Sequence, residues 1–197
     1  MSGIIAQNSG RHTGLMKAPS GGGTWTKISS VTASSSSSIS FTSGIDSTYD
    51  VYCFKFINIH PAEAEHFTFQ GSTDGGSSYG ETLTSTYFHA THDEGDSSTS
   101  LSYVNGKDLA QSTSYLRLAD STSTNADEST SGELRLFSPS STTFVKHFIS
   151  RSSVAATGAK DGFVAGYFNT TSAIDAIQFK MSSGNIDSGI ITLFGIS

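Results

Sequence analysis

The residues with most capacity for chemistry stand in one short segment, "FHATHDEGD". It holds two imidazoles and three carboxylates within eight residues: His89, His92, Asp93, Glu94 and Asp96. Imidazoles and carboxylates are common ligands of divalent metal ions, so the segment is a candidate metal site, with His89, His92 and Asp93 as first ligands. A three-residue spacing brings two histidines together on a helix, however, whereas this segment has the pattern of a strand end followed by a loop. We therefore favour a solvated acidic loop and predict neither a bound metal nor a cofactor.

Other catalytic patterns are missing from the sequence. There is no GxSxG elbow, no phosphate-binding loop and no HExxH motif. Cys53 lies in the middle of an apolar strand pattern, which predicts a buried, unreactive thiol.

A polysaccharide hydrolase would need two carboxylates about 5 to 9 Å apart in one cleft. The candidates for such a pair are Asp93, Glu94, Asp96, Asp127 and Glu128. All five lie in predicted loops, where carboxylates are usually solvated. We therefore predict that the protein is not an enzyme.

The segment "STDGGSSY", residues 72–79, loosely resembles the Asp-box of sialidase-like propellers. In that motif the aspartate organises a tight β-hairpin and does no chemistry. Propellers repeat the box in successive blades, whereas this chain has one copy. We predict a structural hairpin in which Asp74, Gly75 and Gly76 form the turn.

The composition favours strands and turns. Among 197 residues there are 38 serines and 23 threonines, and only 14% of residues are charged. Such a mixture is poor in helix-forming residues, so we predict an all-β chain with a single domain. Cys53 is the only cysteine, which excludes an internal disulfide. No segment has the pattern of a secretion signal or a membrane span, and we expect no membrane partner.

Short alternating segments separated by turn residues recur along the chain. The clearest is "YDVYCFKFINIHP", residues 49–61, in which both faces are largely apolar. The other predicted strands are "TWTKISSV", "SISF", "HFTFQ", "STYFHA", "SYLRL", "GELRLF", "TFVKHFIS", "GFVAGYFN", "AIQFKMS" and "GIITLFGI". The serine run at residues 34–38 and the segments 91–100 and 119–131 are predicted loops. About ten short strands of this kind predict a β-sandwich of jelly-roll type.

The closing sequence "SGNIDSGIITLFGIS" has apolar residues on both sides of its last strand, so we expect both sides to be covered. The earlier segment "SGELRLFSPS" echoes it, with Leu134, Leu136 and Phe137 matching Ile191, Leu193 and Phe194. Two echoing strands suggest a sheet built in related halves.

Charge is distributed unevenly along the chain. Arg11, Lys17 and Lys27 all precede the first acidic residue, Asp46. From Asp46 onward there are eight basic and 17 acidic residues, a net charge of −9. We predict an extended, partner-binding N-terminal arm and glycine hinge at residues 1–23 and a β-sandwich domain at residues 24–197. Three cations spread over 27 residues make no concentrated phosphate-binding patch, so no nucleic-acid partner is expected.

Several segments together resemble small β-rich structural proteins of tailed bacteriophages, especially marine ones. They are "SGIDSTYDVYCFKFINIHPA", "STDGGSSY", the closing "AIDAIQFKMSSGNIDSGIITLFGI" and the opening "IIAQNSGRHTGLMKA". The resemblance covers about half of the chain, mainly residues 44–79 and 163–197. It implies a non-enzymatic jelly-roll protein carried on the virion, with other virion proteins as partners and a homo-oligomer, a trimer as first guess.

Three functions follow as alternatives. In the first, the protein is a capsid decoration or cement protein that residues 1–23 tie to the shell. In the second, it is a tail fibre or adhesin module whose loops bind a host receptor or glycan; the predicted loops 91–100 and 119–131 contain no aromatic residue, which disfavours stacking on sugars. The third is the polysaccharide hydrolase considered above. We expect the first.

Overall fold

The computed structural model describes residues 23–197, which form twelve β-strands and no helix. The strands are β1 (Trp25–Ser36), β2 (Ile39–Phe41), β3 (Val51–Pro61), β4 (Phe67–Ser72), β5 (Leu83–Asp93), β6 (Thr99–Tyr103), β7 (Leu116–Arg117), β8 (Thr130–Phe137), β9 (Lys146–Ala155), β10 (Gly158–Phe168), β11 (Ala176–Met181) and β12 (Ile186–Ile196).

Two antiparallel sheets pack against each other as a sandwich. The large sheet has eight strands in the order β1-β12-β3-β8-β9-β10-β5-β6, and the small sheet has four in the order β2-β11-β4-β7. The predicted all-β sandwich is thus confirmed. The predicted arm lies outside the described residues, apart from Gly23.

The strand order is that of a jelly roll with two additional hairpins. When β5–β6 and β9–β10 are set aside, four strands remain in each sheet, in the orders β1-β12-β3-β8 and β2-β11-β4-β7. These are the two four-stranded sheets of an eight-stranded jelly roll. Both additional hairpins join the same edge of the large sheet, beside β8, and double its width.

A layer of phenylalanine rings holds the two sheets together. The small sheet contributes Phe41, Phe67, Phe69 and Phe179, and the large sheet contributes Phe54, Phe56, Phe148 and Phe168; all eight are buried. The ring of Phe179 lies 5.3 Å from that of Phe54 across the sandwich and 5.6 Å from that of Phe67 beside it, measured between centroids. Burying one such side chain stabilises a fold by about 1.5–3 kcal/mol.

The closing strand lies inside the large sheet, between β1 and β3. Ile191 and Leu193 face the core and are fully buried, whereas Ile190 on the opposite side is 40% exposed. The expectation that both sides are covered is therefore met on the core side alone. The echoing strands β8 and β12 are the two neighbours of β3, and Leu134 and Leu193 both lie opposite Phe54.

Three predicted loops are partly strand, although segment 119–131 only in its last two residues, Thr130 and Ser131 of β8. Ser34 and Ser36 continue β1, because they pair with Ser188 and Ile186 of β12, and so only two residues of the serine run connect β1 to β2. Strand β5 extends to Asp93 and β6 begins at Thr99, so segment 91–100 is the end of a hairpin rather than a loop. Every residue of β6 is exposed, and its two alternating apolar residues, Leu101 and Tyr103, make too short a pattern to predict a strand.

Replacing Phe179 with alanine is expected to lower the free energy of unfolding by about 3–5 kcal/mol, because it leaves a cavity at the centre of the phenylalanine layer. The matched control is Phe144→Ala, since Phe144 is 71% exposed and its truncation should change stability by less than about 0.5 kcal/mol. Urea denaturation of both variants measures the difference. Equal losses of stability would contradict this view of the core.

Candidate interaction surface

The side of the large sheet that faces away from the small sheet, here called the outer face, carries most of the exposed apolar side chains. In the described part of the chain eight large hydrophobic residues are exposed. Side chains directly opposite one another share a face, and strand pairing places seven of them on the outer face: Trp25, Ile57, Phe88, Leu101, Tyr103, Ile149 and Ile190. The eighth, Phe144, lies in the segment before β9.

The corresponding side of the small sheet is covered by the protein itself. Gln70 of β4 is fully buried there, and its Nε2 donates to the carbonyl oxygens of Glu81, Thr113 and Ser114. Loops from elsewhere in the chain thus close this side with hydrogen bonds. The outer face of the large sheet has no such cover in residues 23–197.

A trough of about 710 Å³ crosses the outer face from β3 to β5. Five neighbouring strands span about 19 Å at their usual spacing of about 4.8 Å. Small side chains line its bottom, among them Ala90, Ser131, Ser153 and Ala159, and longer charged side chains stand beside them, among them Lys55, Glu133, Arg151 and Asp161. The difference in side-chain length makes this part of the face concave.

Two arginine–carboxylate pairs fix the charged side chains. Arg151 donates to both oxygens of Asp161, from Nε at 3.0 Å and from Nη2 at 2.6 Å. Arg135 donates from Nε to Oε1 of Glu133 at 2.8 Å, and its Nη2 lies 2.7 Å from the same oxygen as an ion pair. Exposed pairs of this kind add little stability, about 0–1 kcal/mol, but they orient the guanidinium planes.

Aromatic rings lie next to these cations. Phe88 and Phe163 stack with their centroids 4.8 Å apart, and the guanidinium carbon of Arg151 is 5.0 Å from the centroid of Phe163. At the other end of the face, Nζ of Lys55 is 4.3 Å from the centroid of Trp25. Both arrangements are cation–π contacts. The outer face therefore offers apolar, aromatic and charged groups together.

Cys53 points to the outer face but lies beneath its neighbours. The side chain is fully buried, as predicted, and Sγ is 3.9 Å from Oε2 of Glu133. Burial, with the nearby Glu133 carboxylate, raises the pKa of the thiol to about 12. The thiol is therefore protonated at neutral pH, the unreactive form.

The structure does not bring the predicted metal ligands together. His89 and His92 lie on opposite sides of β5, because they are an odd number of residues apart in a strand. Asp93 instead accepts hydrogen bonds from the backbone NH groups of Ser97 and Ser98, at 3.0 and 2.6 Å. Within residues 23–197 no three His, Cys, Asp or Glu side chains are grouped in a way that could hold a metal ion.

The loop carboxylates proposed as a hydrolase pair bind their own loops. Asp96 contacts Nε2 of His92 at 3.1 Å, and Glu128 accepts from Ser123 and from Nδ2 of Asn125, the latter at 3.1 Å. Glu94 and Asp127 are members of the same two loops. These contacts give the carboxylates structural roles, and the absence of enzymatic activity stays a prediction.

Asp74 organises a turn, although the turn is not a hairpin. Its carboxylate accepts from the Ser78 NH at 2.9 Å and from the hydroxyls of Ser72 and Ser78 at 2.6 Å, and these bonds lower its pKa to about 2. Gly75 and Gly76 have φ of 71° and 85°, which glycine adopts without strain. The predicted hairpin is wrong because the flanking strands, β4 and β5, belong to different sheets.

Of the three cations assigned to the partner-binding arm, Arg11 and Lys17 lie outside the described residues. Lys27 belongs to β1, where it lies opposite Phe194 on the outer face. It is therefore part of the sheet rather than of an arm.

A polar cluster that the sequence did not predict lies around Asp120. Its carboxylate is 2.7 Å from Nζ of Lys107, 3.6 Å from Nδ1 of His89 and 3.7 Å from Nη1 of Arg117. Desolvation disfavours ionisation, but the bond to Lys107 and the surrounding cations hold the pKa of Asp120 below its usual value. The cluster attaches the segment after β6 to the body.

Comparison with known protein families, with curated proteins and with solved structures finds no match to this chain. In residues 23–197 no helix is available to cross a membrane.

The stability of the fold should depend on pH through the two histidines near Asp120, His66 and His89. Burial lowers the pKa of both His66 and His89. Just below the ordinary histidine pKa of about 6.5, the unfolded chain therefore binds more protons than the folded chain. The stability that each neutral histidine contributes is thus complete above that pH and is lost as pH falls below it. Between pH 7 and pH 5, we expect the melting temperature of the His89→Gln variant to fall by less than that of the wild type.

The control is His92→Gln, because the side chain of His92 is 55% exposed. Melting curves of this variant should follow the wild type across the same interval. An undiminished pH effect in His89→Gln would show that His89 does not contribute to it.

Proposed function

We propose that this protein is a non-enzymatic structural component of a tailed-phage virion, displayed on the particle surface as a capsid decoration or cement protein. The observation that carries the proposal is the outer face, which concentrates seven of the eight exposed large hydrophobic residues on one side of an acidic, serine-rich molecule. Soluble monomers rarely leave such residues together, and their concentration marks a surface for contact with protein.

The fold and the resemblance support the same proposal. Jelly rolls recur in viral capsid proteins and in lectins, and although a shared fold does not establish function, it suits a module that assembles through its sheet surfaces. The sequence segments that resemble phage structural proteins include β3, β11 and β12, which contribute to both sheets. We propose other virion proteins as partners, with residues 1–23 as the anchor and a homo-oligomer, a trimer as first guess, as the assembled form.

A tail fibre or adhesin module that binds a host glycan is the second candidate. The loops considered in the sequence contain no aromatic residue, but the structure places Phe88, Tyr103 and Phe163 on strands next to the trough. Aromatic rings beside paired arginine and carboxylate groups could contact both the apolar and the hydroxyl groups of a sugar. This arrangement is the observation that favours the second candidate.

Quantitative mass spectrometry of purified virions should find this chain in an amount comparable to the major capsid protein. A ratio of about one to one, or one to a few, supports decoration, a few copies per particle support a tail fibre, and a chain absent from particles would contradict the proposal.

A variant lacking residues 1–20 should remain folded but be lost from particles, because it lacks the anchor. Unfolding of this variant would show instead that the segment is part of the core.

A further inference from the structure

The hairpin at the edge of the large sheet projects beyond the body of the protein. This acidic hairpin, residues 93–103, joins the last residue of β5 to β6, and every residue of β6 is exposed. Leu101 is 72% exposed and Tyr103 is 51% exposed. The hairpin carries Asp93, Glu94 and Asp96 and no lysine or arginine. It is therefore a protruding, negatively charged element with a large apolar side chain.

The trough has the opposite shape and the opposite charge balance. Among its charged lining residues, Arg151 is paired with Asp161 and Glu133 with Arg135. Lys55 also lines the trough, and it forms no ion pair with a carboxylate in residues 23–197. Lys160 belongs to the opposite side of β10, because it pairs with the buried Val154. One lysine, whose ammonium lies over the ring of Trp25, is thus available to an acidic group that enters the trough.

The whole outer face differs in charge from the rest of the molecule. It carries four basic residues, Lys27, Lys55, Arg135 and Arg151, and two acidic ones, Glu133 and Asp161, a net charge of +2. The remaining described residues include five basic and fifteen acidic side chains, a net charge of −10. The outer face is thus complementary to the remaining surface of another copy of the same chain.

The shapes favour a head-to-tail contact over a symmetric one. Two outer faces stacked on each other would leave their concave centres empty, whereas the protruding hairpin of one copy can enter the trough of the next. A contact between two different surfaces of the same chain is heterologous, and it builds a closed ring where the rotation between copies closes.

We propose that the trough binds the acidic hairpin of a second copy of this chain, so that copies associate head to tail. In this contact Leu101 enters the concave part of the trough and the carboxylates at the tip of the hairpin approach Lys55. The inference rests on the proposed function in one respect, the assignment of the outer face as a protein contact surface.

Sedimentation velocity of the full chain, over a wide range of concentration, tests the proposal. The wild type should sediment as a ring of three or more copies and should dissociate as salt concentration rises, because screening weakens the charge contacts. Leu101→Ser, and separately Lys55→Glu, should raise the dissociation constant about tenfold or more. The matched controls are Phe144→Ser and Lys180→Glu, which alter an equally exposed aromatic residue and a lysine of the small sheet; both should assemble as the wild type does.

Mixing the two defective variants gives the sharper result. The Leu101→Ser chain retains an intact trough and the lysine variant retains an intact hairpin, so together they form one intact contact and should yield a heterodimer that grows no further. Circular dichroism of each variant checks that the sheets are folded. A wild type that is a two-fold dimer, or a mixture that stays monomeric, would overturn the head-to-tail contact.

A wild-type chain that is monomeric at every concentration would also overturn the proposal. If the fluorescence of Trp25, the only tryptophan, then changed on addition of polygalacturonate, the trough would be assigned to an acidic saccharide instead. A monomer in solution that is still incorporated into virions would leave the proposed function standing. A head-to-tail oligomer that is absent from virions would leave only the self-association standing.

Discussion

The layer of phenylalanine rings between the two sheets is the constraint on which the rest of the structure depends. Phe179 contacts rings from its own sheet and from the large sheet, and Phe69 joins it to Phe148 and Phe168. Because side chains alternate along a strand, a shift of one residue would move these rings out of the layer to the opposite face of their sheet. The rings thereby fix the register of the strands, and with it the residues that face outward.

The outer face is a consequence of this register. Once Phe54 and Phe148 point inward, Lys55 and Ile149 must point outward, as must the arginines and carboxylates paired across β8, β9 and β10. The two additional hairpins widen the large sheet beyond the small one, so the outer face gains a trough and a projecting edge that an eight-stranded jelly roll would lack. The shape and charge of the candidate surface therefore follow from the packing of the core.

The sequence was informative where a strand has a buried side. The apolar alternation of β3 and β12 predicted both strands, and the position of Cys53 in β3 predicted its burial. Strand β6 was missed because none of its residues is buried. The serine run has the composition of a loop, and the pairing that keeps Ser34 and Ser36 in β1 is with residues of β12 that are far away in sequence.

The candidate surface could not be predicted for a related reason. Lys55 is far from Arg151 and Asp161 in sequence, and strand order, which local patterns do not specify, brings all three to one trough. The cluster of His89, His92 and three acidic residues is visible in the sequence. On strand β5, however, side chains alternate between faces, so His89 and His92 point to opposite sides and cannot bind one metal ion together. The contacts of Asp120 with His89 and Lys107 depend on the same long-range topology.

If the outer face is a contact surface, protein covers it in the assembled state. Hydroxyl-radical footprinting compares the oxidation of Trp25, Phe88, Leu101 and Tyr103 in the dilute chain and in the assembled form, with the exposed Phe144 as internal reference. We expect assembly to protect the four outer-face residues and to leave Phe144 unchanged. Equal oxidation of the outer face in both states would contradict it.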